Sequence, residues 1–478
     1  MFEYFLSFLP KQALICVKIQ IKSSHSPTIS LQIPAWRPGR YQLQNFARNI
    51  RNFSAFDAKG QNLPYQKIDR NTWVISNDLL SDTITVSYEY LATELNAGSS
   101  HISESLLYFN PINFTLYQSE FLDSTFVVHV ICNDPDLQIA SGLSFLKTMN
   151  GFVASPASLR QWFDSPVMIS NKFIHLQFKS KGVPFHFWVA GGLGFDEKKL
   201  VRDLKKIANT QIDLFGTFPE SDYHFMLIVP DEAYYHGVEH ANSTMLVLGQ
   251  HKILQESYYY DLLGLASHEL FHAWNIAKIR PAELLPYDYS KEAYFGTCFV
   301  AEGFTTYYGD KIMQIAGVIT DKMYFFELET ILRRHFENAD SVSQSLVESS
   351  IDLWVDGYER AIPHKRVSVY DKGAIVAFML DATIKEASQN SRSLDDVMRK
   401  LWATYGDMQK GYTYAEIQMI CEEVAGLSLD GFFKHAVASN MSIWDITQTH
   451  LAKGFKKMIK NSEGLIQLVD MEGYLICF

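Results

Sequence analysis

The sequence predicts a multidomain α+β fold: an all-β sandwich first, then a lobe of mixed sheet and helix, then a mainly helical lobe. Three observations predict it. Residues 1–180 carry short apolar runs of period two, residues 181–260 mix strand and helix patterns, and from 261 the apolar spacing becomes helical. At 478 residues the chain exceeds one ordinary core, and 47% hydrophobic with 20% charged residues describes a globular protein.

The elements follow in order. Val17-Ile19-Ile21, Ile29-Leu31-Ile33, Ile84-Val86-Tyr88-Tyr90, Phe126-Val128-Val130 and Ile174-Leu176-Phe178 alternate with polar residues, and Pro, Gly and Asn lie between the runs. That pattern predicts antiparallel strands. Trp36-Arg37-Pro38-Gly39-Arg40-Tyr41 marks a turn among them, for which packing specific to the fold is favoured over a catalytic role. Phe185 to Ala190, His224 to Val229 and Ser243 to Leu248 read as strands, and Asp196 to Gly216 as an amphipathic helix. Leu262 to Asn275 (LLGLASHELFHAWN) reads as helix, because Leu262, Leu265, Ala266, Leu270 and Phe271 recur near one-turn spacing. Pro281 and Pro286 then break the chain, and Phe299 to Tyr308 reads as a second helix folding back. Ser393-x-x-Asp396 and Thr413-x-x-Glu416 are capping boxes that each open a helix. The stretch 446–478 is expected to be a C-terminal tail.

The chemistry sits in His268-Glu269-Leu270-Phe271-His272. On a helix, residues four apart share a face, so His268 and His272 can offer ring nitrogens to one metal ion at roughly 2.0–2.1 Å for zinc. Glu269, rotated by about 100°, falls beside the metal, where a general base for water belongs. A catalytic zinc needs a third protein ligand and an open position. Glu302 is the candidate; an isolated helix Glu is usually a solvated charge, but this one borders an apolar, aromatic run. Gly303 next to it would admit the close approach of a neighbouring element.

Further segments carry a resemblance. HELFHAWN is followed by Ile279-Arg280-Pro281, by Pro286-Tyr287-Asp288-Tyr289, and by AEGFTTYY from Ala301. With Pro34 to Ile50 (PAWRPGRYQLQNFARNI), Gly237-Val238-Glu239-His240 and Val369-Tyr370-Asp371-Lys372-Gly373, this order resembles the glycyl aminopeptidase family of zinc metallopeptidases, distant relatives of aminopeptidase N and thermolysin. The resemblance implies a thermolysin-like catalytic domain over 181–445, with its mixed lobe at 181–260 and its helical lobe at 261–445, after the β domain at 1–180. It implies one Zn²⁺ per chain on His268, His272 and Glu302, with Glu269 as base and Tyr370 as oxyanion donor. Glu239, with Gly237 on the same segment, would bind substrate by pairing with the α-ammonium group of a peptide. The expected activity is release of a small amino-terminal residue, Gly or Ala. Two departures stand out: His236 replaces a glycine frequent in relatives, and the chain stops short of the PDZ domain that commonly follows.

Composition narrows the partners. A net charge of −11 argues against nucleic acid, whose phosphates need a basic face; it suits cationic peptide termini, but a solvated acidic surface is the favoured explanation. Cys16, Cys132, Cys298, Cys421 and Cys477 are scattered and form no C-x-x-C pair, so neither a disulfide framework nor a thiolate zinc site is expected. Glu3 and Lys11 interrupt the apolar start and no run reaches 18 apolar residues, so the expectation is a cytoplasmic protein without membrane contact. The alternatives are a zinc endopeptidase of thermolysin type and an inactive peptide-binding protein with a peptidase fold.

Overall fold

Alternation of apolar and polar side chains makes the first part of the chain sheet. The computed structural model describes residues 2–22, 26–78, 80–249, 256–338, 342–359, 362–454 and 456–476. Seven strands form the largest sheet, in the order Leu146–Thr148, Gly151–Ala154, Val127–Ile131, Phe2–Leu9, Leu14–Lys22, Thr83–Leu91 and Ile50–Phe56. Tyr4, Leu6, Val17, Ile19, Ile84 and Val86 from its inner face bury against Ile29, Leu31, Trp73 and Ile75 of a three-stranded sheet. A four-stranded sheet (Gln138–Ala140, Val167–Ser170, Leu107–Phe109, His101–Ile102) completes this sandwich-like region.

The next sheet orders Ile174–Ser180, Val183–Ala190, Tyr223–Ile228, Ser243–Leu248 and, at its edge, Tyr235–Glu239. The expected domain boundary at 180 therefore falls inside a hairpin, since Ile174–Ser180 pairs antiparallel with Val183–Ala190. Period two identifies that strand but carries no information about which sheet it joins. The amphipathic helix Glu197–Phe215 has Asp196 as N-cap, accepting from the Lys199 N–H, and Gly216 in the left-handed region as C-cap.

The helix bearing His268 runs Glu256–Phe271, so His272 is the first residue of the turn that follows and not the last turn of a helix reaching Asn275. Phe299–Phe304 is a π-helix that passes into the α-helix Thr305–Ile315. Against it lies Asp371–Ala387, and the crossing is glycine on glycine: a Cβ on Gly303 would stand 2.4 Å from the Gly373 Cα and 2.8 Å from the Val369 carbonyl oxygen. Only two residues without side chains let these backbones meet, as expected for Gly303. The contact sets Glu302, beside Gly303, near Tyr370, one turn before Gly373.

The segment expected to be a tail is instead part of the helical lobe. Helix Trp444–Lys453 and the hairpin of Lys456–Lys460 with Ile466–Asp470 bury Leu451, Met458, Ile466 and Leu468 in the main core. Side chains of the helix Asp321–Phe336 clasp it: Glu329 accepts from the Leu468 N–H at 2.7 Å and Arg333 Nε donates to the Ile466 carbonyl at 2.6 Å. A short hairpin gives little periodic signal, and its partner lies about 130 residues upstream. Both capping boxes are present. Cys16, Cys132, Cys298 and Cys421 are free thiols, and Cys477 lies outside the described residues. Among the described residues no helix is long and apolar enough to cross a membrane.

The glycine crossing can be tested. Gly303→Ala should lower the unfolding free energy by about 1–3 kcal/mol, as overpacking does, whereas Gly431→Ala, which meets nothing within 4 Å, should change it little. Denaturant titration of both variants decides; equal stability would show that the two helices can move apart at no cost.

Candidate active site

The histidine helix is buried along most of its surface, with Leu262, Leu263, Ala266, Leu270 and Phe271 in the main core. Its polar exceptions cluster at one end. His268 Nε2 and His272 Nε2 lie 3.1 Å apart, and Glu302 Oε2 lies 3.8 and 3.4 Å from them. Tetrahedral zinc with ligands at 2.0–2.1 Å separates its ligand atoms by about 3.3–3.4 Å, so these three atoms describe one face of such a site. The imidazole chemistry agrees. His272 Nδ1 lies 2.9 Å from the Asn275 carbonyl, an acceptor only, so the ring proton is on Nδ1 and the Nε2 lone pair faces the cluster. The three residues fit zinc by spacing and by donor set.

Asn275 also holds Glu302 in place. Its amide donates to the Val300 and Ala301 carbonyls at 2.8 and 3.2 Å and to Thr305 Oγ1 at 3.0 Å. A π-helix leaves carbonyls displaced from the regular ladder, and one amide collects them. Asn275 therefore sets the His272 tautomer with its carbonyl and the Glu302 turn with its side chain. It lay in the quoted HAWN segment, but a buried Asn gives no sign of which backbone it will satisfy.

The edge strand supplies the rest. Gly237 pairs with Leu246 and Glu239 with Thr244, which puts both on one face, while Val238 packs into the core shared with the β region. Gly237 is pressed onto Glu269: a Cβ there would lie 2.1 Å from Glu269 Oε1. The other carboxylate oxygen, Oε2, is buried and has no hydrogen-bond partner. Glu239, Glu269 and His272 have ligand atoms within 4.8 Å of one another, so three carboxylates and two imidazoles share one buried site. Burial raises the Glu269 pKa well above the usual range; His272 opposes the shift, and Glu239 and Glu302 add to it. Glu239 is raised mainly by burial. Glu302 is the opposite case, since the two imidazoles outweigh burial and hold it low.

Tyr370 sits at the start of the helix Asp371–Ala387. Burial first, then the charge of Glu302, pushes its hydroxyl well above the ordinary value, so it keeps its proton. Thus His268, Glu269, His272, Glu302, Glu239 and Gly237 come together, and Tyr370, more than 130 positions after Gly237, lies where the charges of Glu302 and Glu239 act on its hydroxyl.

The β region takes part in a way its own sequence concealed. Turn Trp36–Tyr41 is anchored on Pro286–Tyr289: the Ala35 N–H and Trp36 Nε1 donate to the Tyr289 and Asp288 carbonyls, each at 2.7 Å. Its Gly39, at φ +74°, lies against Glu239, where a Cβ would stand 2.6 Å from Oε2. Packing was the expectation for this turn, and it does pack, but against a site carboxylate. His236 points to the β region, where its Nδ1 accepts from the Ala97 N–H at 3.2 Å. Asp164 holds the far end of the strand through His240 Nδ1 at 2.9 Å and the Ala241 N–H at 3.0 Å.

A second constellation, His186, Asp222 and His224, explains itself without a metal. Trp188 Nε1 donates to His224 Nδ1 at 3.2 Å, which places the His224 proton on Nε2, facing Asp222 at 3.5 Å. No lone pair of His224 is left for an ion.

Comparison with known proteins agrees with this geometry. The sequence pattern of the Peptidase M61 N-terminal domain matches residues 3–171, and that of the M61 glycyl aminopeptidase matches residues 261–376. No curated protein sequence matches the chain. An aminopeptidase N family protein from Idiomarina loihiensis superposes with a TM-score of 0.89 at 26% identity, over 96% of this chain and 79% of that one. The M1 zinc metallopeptidase of Deinococcus radiodurans gives a TM-score of 0.54 at 13% identity, over 92% and 94% of the two chains. A mutant of it bound to a Tyr-Ser-Ala substrate gives 0.55, also at 13% identity and over the same shares. At that identity the likeness is one of fold. The two patterns, which together cover well over half of the sequence, and the close superposition agree: the chain belongs to the M61 glycyl aminopeptidase family and is a peptidase.

Proposed function

We propose that this protein is a zinc-dependent aminopeptidase, with one zinc per chain, that releases the first residue of peptides having a free amino terminus. Glu239 carries the reading. It is 9% exposed, it lies beside the His–His–Glu triad but outside it, and no ion pair within 4.0 Å neutralises it among the described residues. A buried carboxylate is costly without a cation, and the α-ammonium group of a peptide is a cation of the right size. Because Glu239 lies within 4.8 Å of both Glu269 and His272, an ammonium held there leaves about one residue's length, ~3.8 Å, to the carbonyl at the triad. The matching glycyl aminopeptidase pattern supports the preference for a small first residue, and the likeness to a zinc metallopeptidase supports the choice of metal.

His268, His272 and Glu302 would hold the zinc, which when bound supplies a Lewis acid at the scissile carbonyl and makes water more acidic. Glu269 Oε2, unpaired and buried, receives a proton from the attacking water. The same carboxyl then gives that proton to the leaving amine. Gly237 keeps the carboxylate in place by backbone contact. The Tyr370 hydroxyl, which stays protonated, donates to the oxygen that gains charge. Tyr235–Glu239 is an edge strand, so its free main-chain groups can pair with an extended peptide and orient it.

Metal content and turnover should separate two roles. His272→Ala is expected to lose zinc and activity while the β region stays folded, and Glu269→Gln to keep zinc but lose about 10²–10⁴-fold in turnover. Full activity of chelator-treated, metal-free protein would contradict the reading outright.

Tyr370→Phe removes one hydroxyl and should lower kcat by about 10²–10³-fold with KM little changed. Steady-state kinetics on a substrate whose chemistry limits the rate is the measurement, and an unchanged kcat would assign the oxyanion to another donor.

Hydrolysis of Gly-, Ala- and Leu-anilides, each free and amino-blocked, tests the activity itself. Glu239→Ala should cost free-amine substrates about 2–5 kcal/mol in kcat/KM and leave blocked ones and zinc content nearly unchanged. If the unmodified protein cleaves blocked and free substrates equally, it is an endopeptidase.

A further inference from the structure

Arg37 is only 4% exposed, yet no carboxylate lies within 4.0 Å of it among the described residues. Its Nη1 donates to the neighbouring Pro38 carbonyl at 3.1 Å, and its guanidinium lies on Gly98, where a Cβ would fall 1.9 Å from Nη2. Burying a guanidinium without an anion is costly. The Glu239 carboxylate acts on it electrostatically, but Gly39 lies against that carboxylate. Arg37 lines a cavity of about 280 Å³ in the β region, shared with Arg40, Arg48, Glu94, Asn96 and Ser99. Glu94 pairs with Arg48. Among the described residues the partners of Arg40 are neutral: its Nε donates to Gln42 Oε1 at 3.0 Å, and its guanidinium lies 4.9 Å over the Tyr358 ring. Two guanidinium groups with no carboxylate within 4.0 Å among the described residues therefore face one small polar cavity, in a chain of net charge −11. Arginine pairs give carboxylates charge-assisted, geometrically defined hydrogen bonds.

We propose that the Arg37–Arg40 cavity is a carboxylate-binding site beside Glu239, occupied by a free small carboxylate or by the acidic side chain of a peptide's first residue. The second source rests on the aminopeptidase reading; the first does not. Either would add a negative group on the side of Glu239 facing the β region, and the second would extend the accepted substrates to acidic amino termini.

Calorimetric titration of the zinc-loaded Glu269→Gln protein in low-salt, chloride-free buffer separates the sources. Acetate and succinate probe the first; the dipeptides Glu-Ala and Gln-Ala probe the second. The expected result is either saturable binding of acetate or succinate, or Glu-Ala binding about ten-fold or more tighter than Gln-Ala. In each case Arg40→Gln, a partly exposed position, should bring the effect within two-fold of none, and Arg37→Gln should do so where circular dichroism shows it folded. Carboxylate binding unchanged in Arg40→Gln, or no carboxylate effect with either probe pair, overturns the site. A protein that binds acetate through Arg40 but hydrolyses no peptide would overturn the aminopeptidase reading and leave this site standing.

Discussion

Three carboxylates and two imidazoles, all buried but His268, form two triads that share His272, and they set the terms for the rest of this molecule. Such a cluster is unfavourable as bare charge, so each member is held by a neighbour with little freedom to yield. Asn275 fixes the His272 tautomer and the carbonyls of the turn bearing Glu302. Gly237 and Gly39 replace side chains with backbone, one against Glu269 and the other against Glu239. The cations that would complete the balance are the ones the proposed chemistry brings: a divalent metal on the triad and an ammonium group on Glu239.

That cluster also explains why the β region is more than a neighbour. The turn Trp36–Tyr41 reaches the site because the Pro286–Tyr289 segment, between the elements that carry His268 and Glu302, accepts its hydrogen bonds. Asp164 and the Ala97 N–H hold the edge strand from the same side. Two segments that look like separate signatures in the sequence are thus two halves of one contact. At that end of the site Gly39, 200 residues upstream, lies against the Glu239 carboxylate.

The sequence by itself determined the strands, the helices and most of the residues that meet at the candidate site. Period two in Val17-Ile19-Ile21, the caps Asp196, Ser393 and Thr413, and the four-residue spacing of His268 and His272 are local relations, legible wherever backbone geometry repeats. Tyr370 and Glu239 were legible through motif order alone, and Glu302 through the apolar, aromatic run it borders as well, since no local rule relates them. Tertiary structure alone decided which sheet Ile174–Ser180 joins, that 446–478 is core and not tail, and that Arg37 and Gly39 border the site. It also decided the Gly303–Gly373 crossing, which brings Glu302 and Tyr370 together. The physical reason is the same in each case. Apolar periodicity reports that a face is buried, whereas its partner depends on contacts between segments far apart in the chain, and these leave no repeating mark in either one.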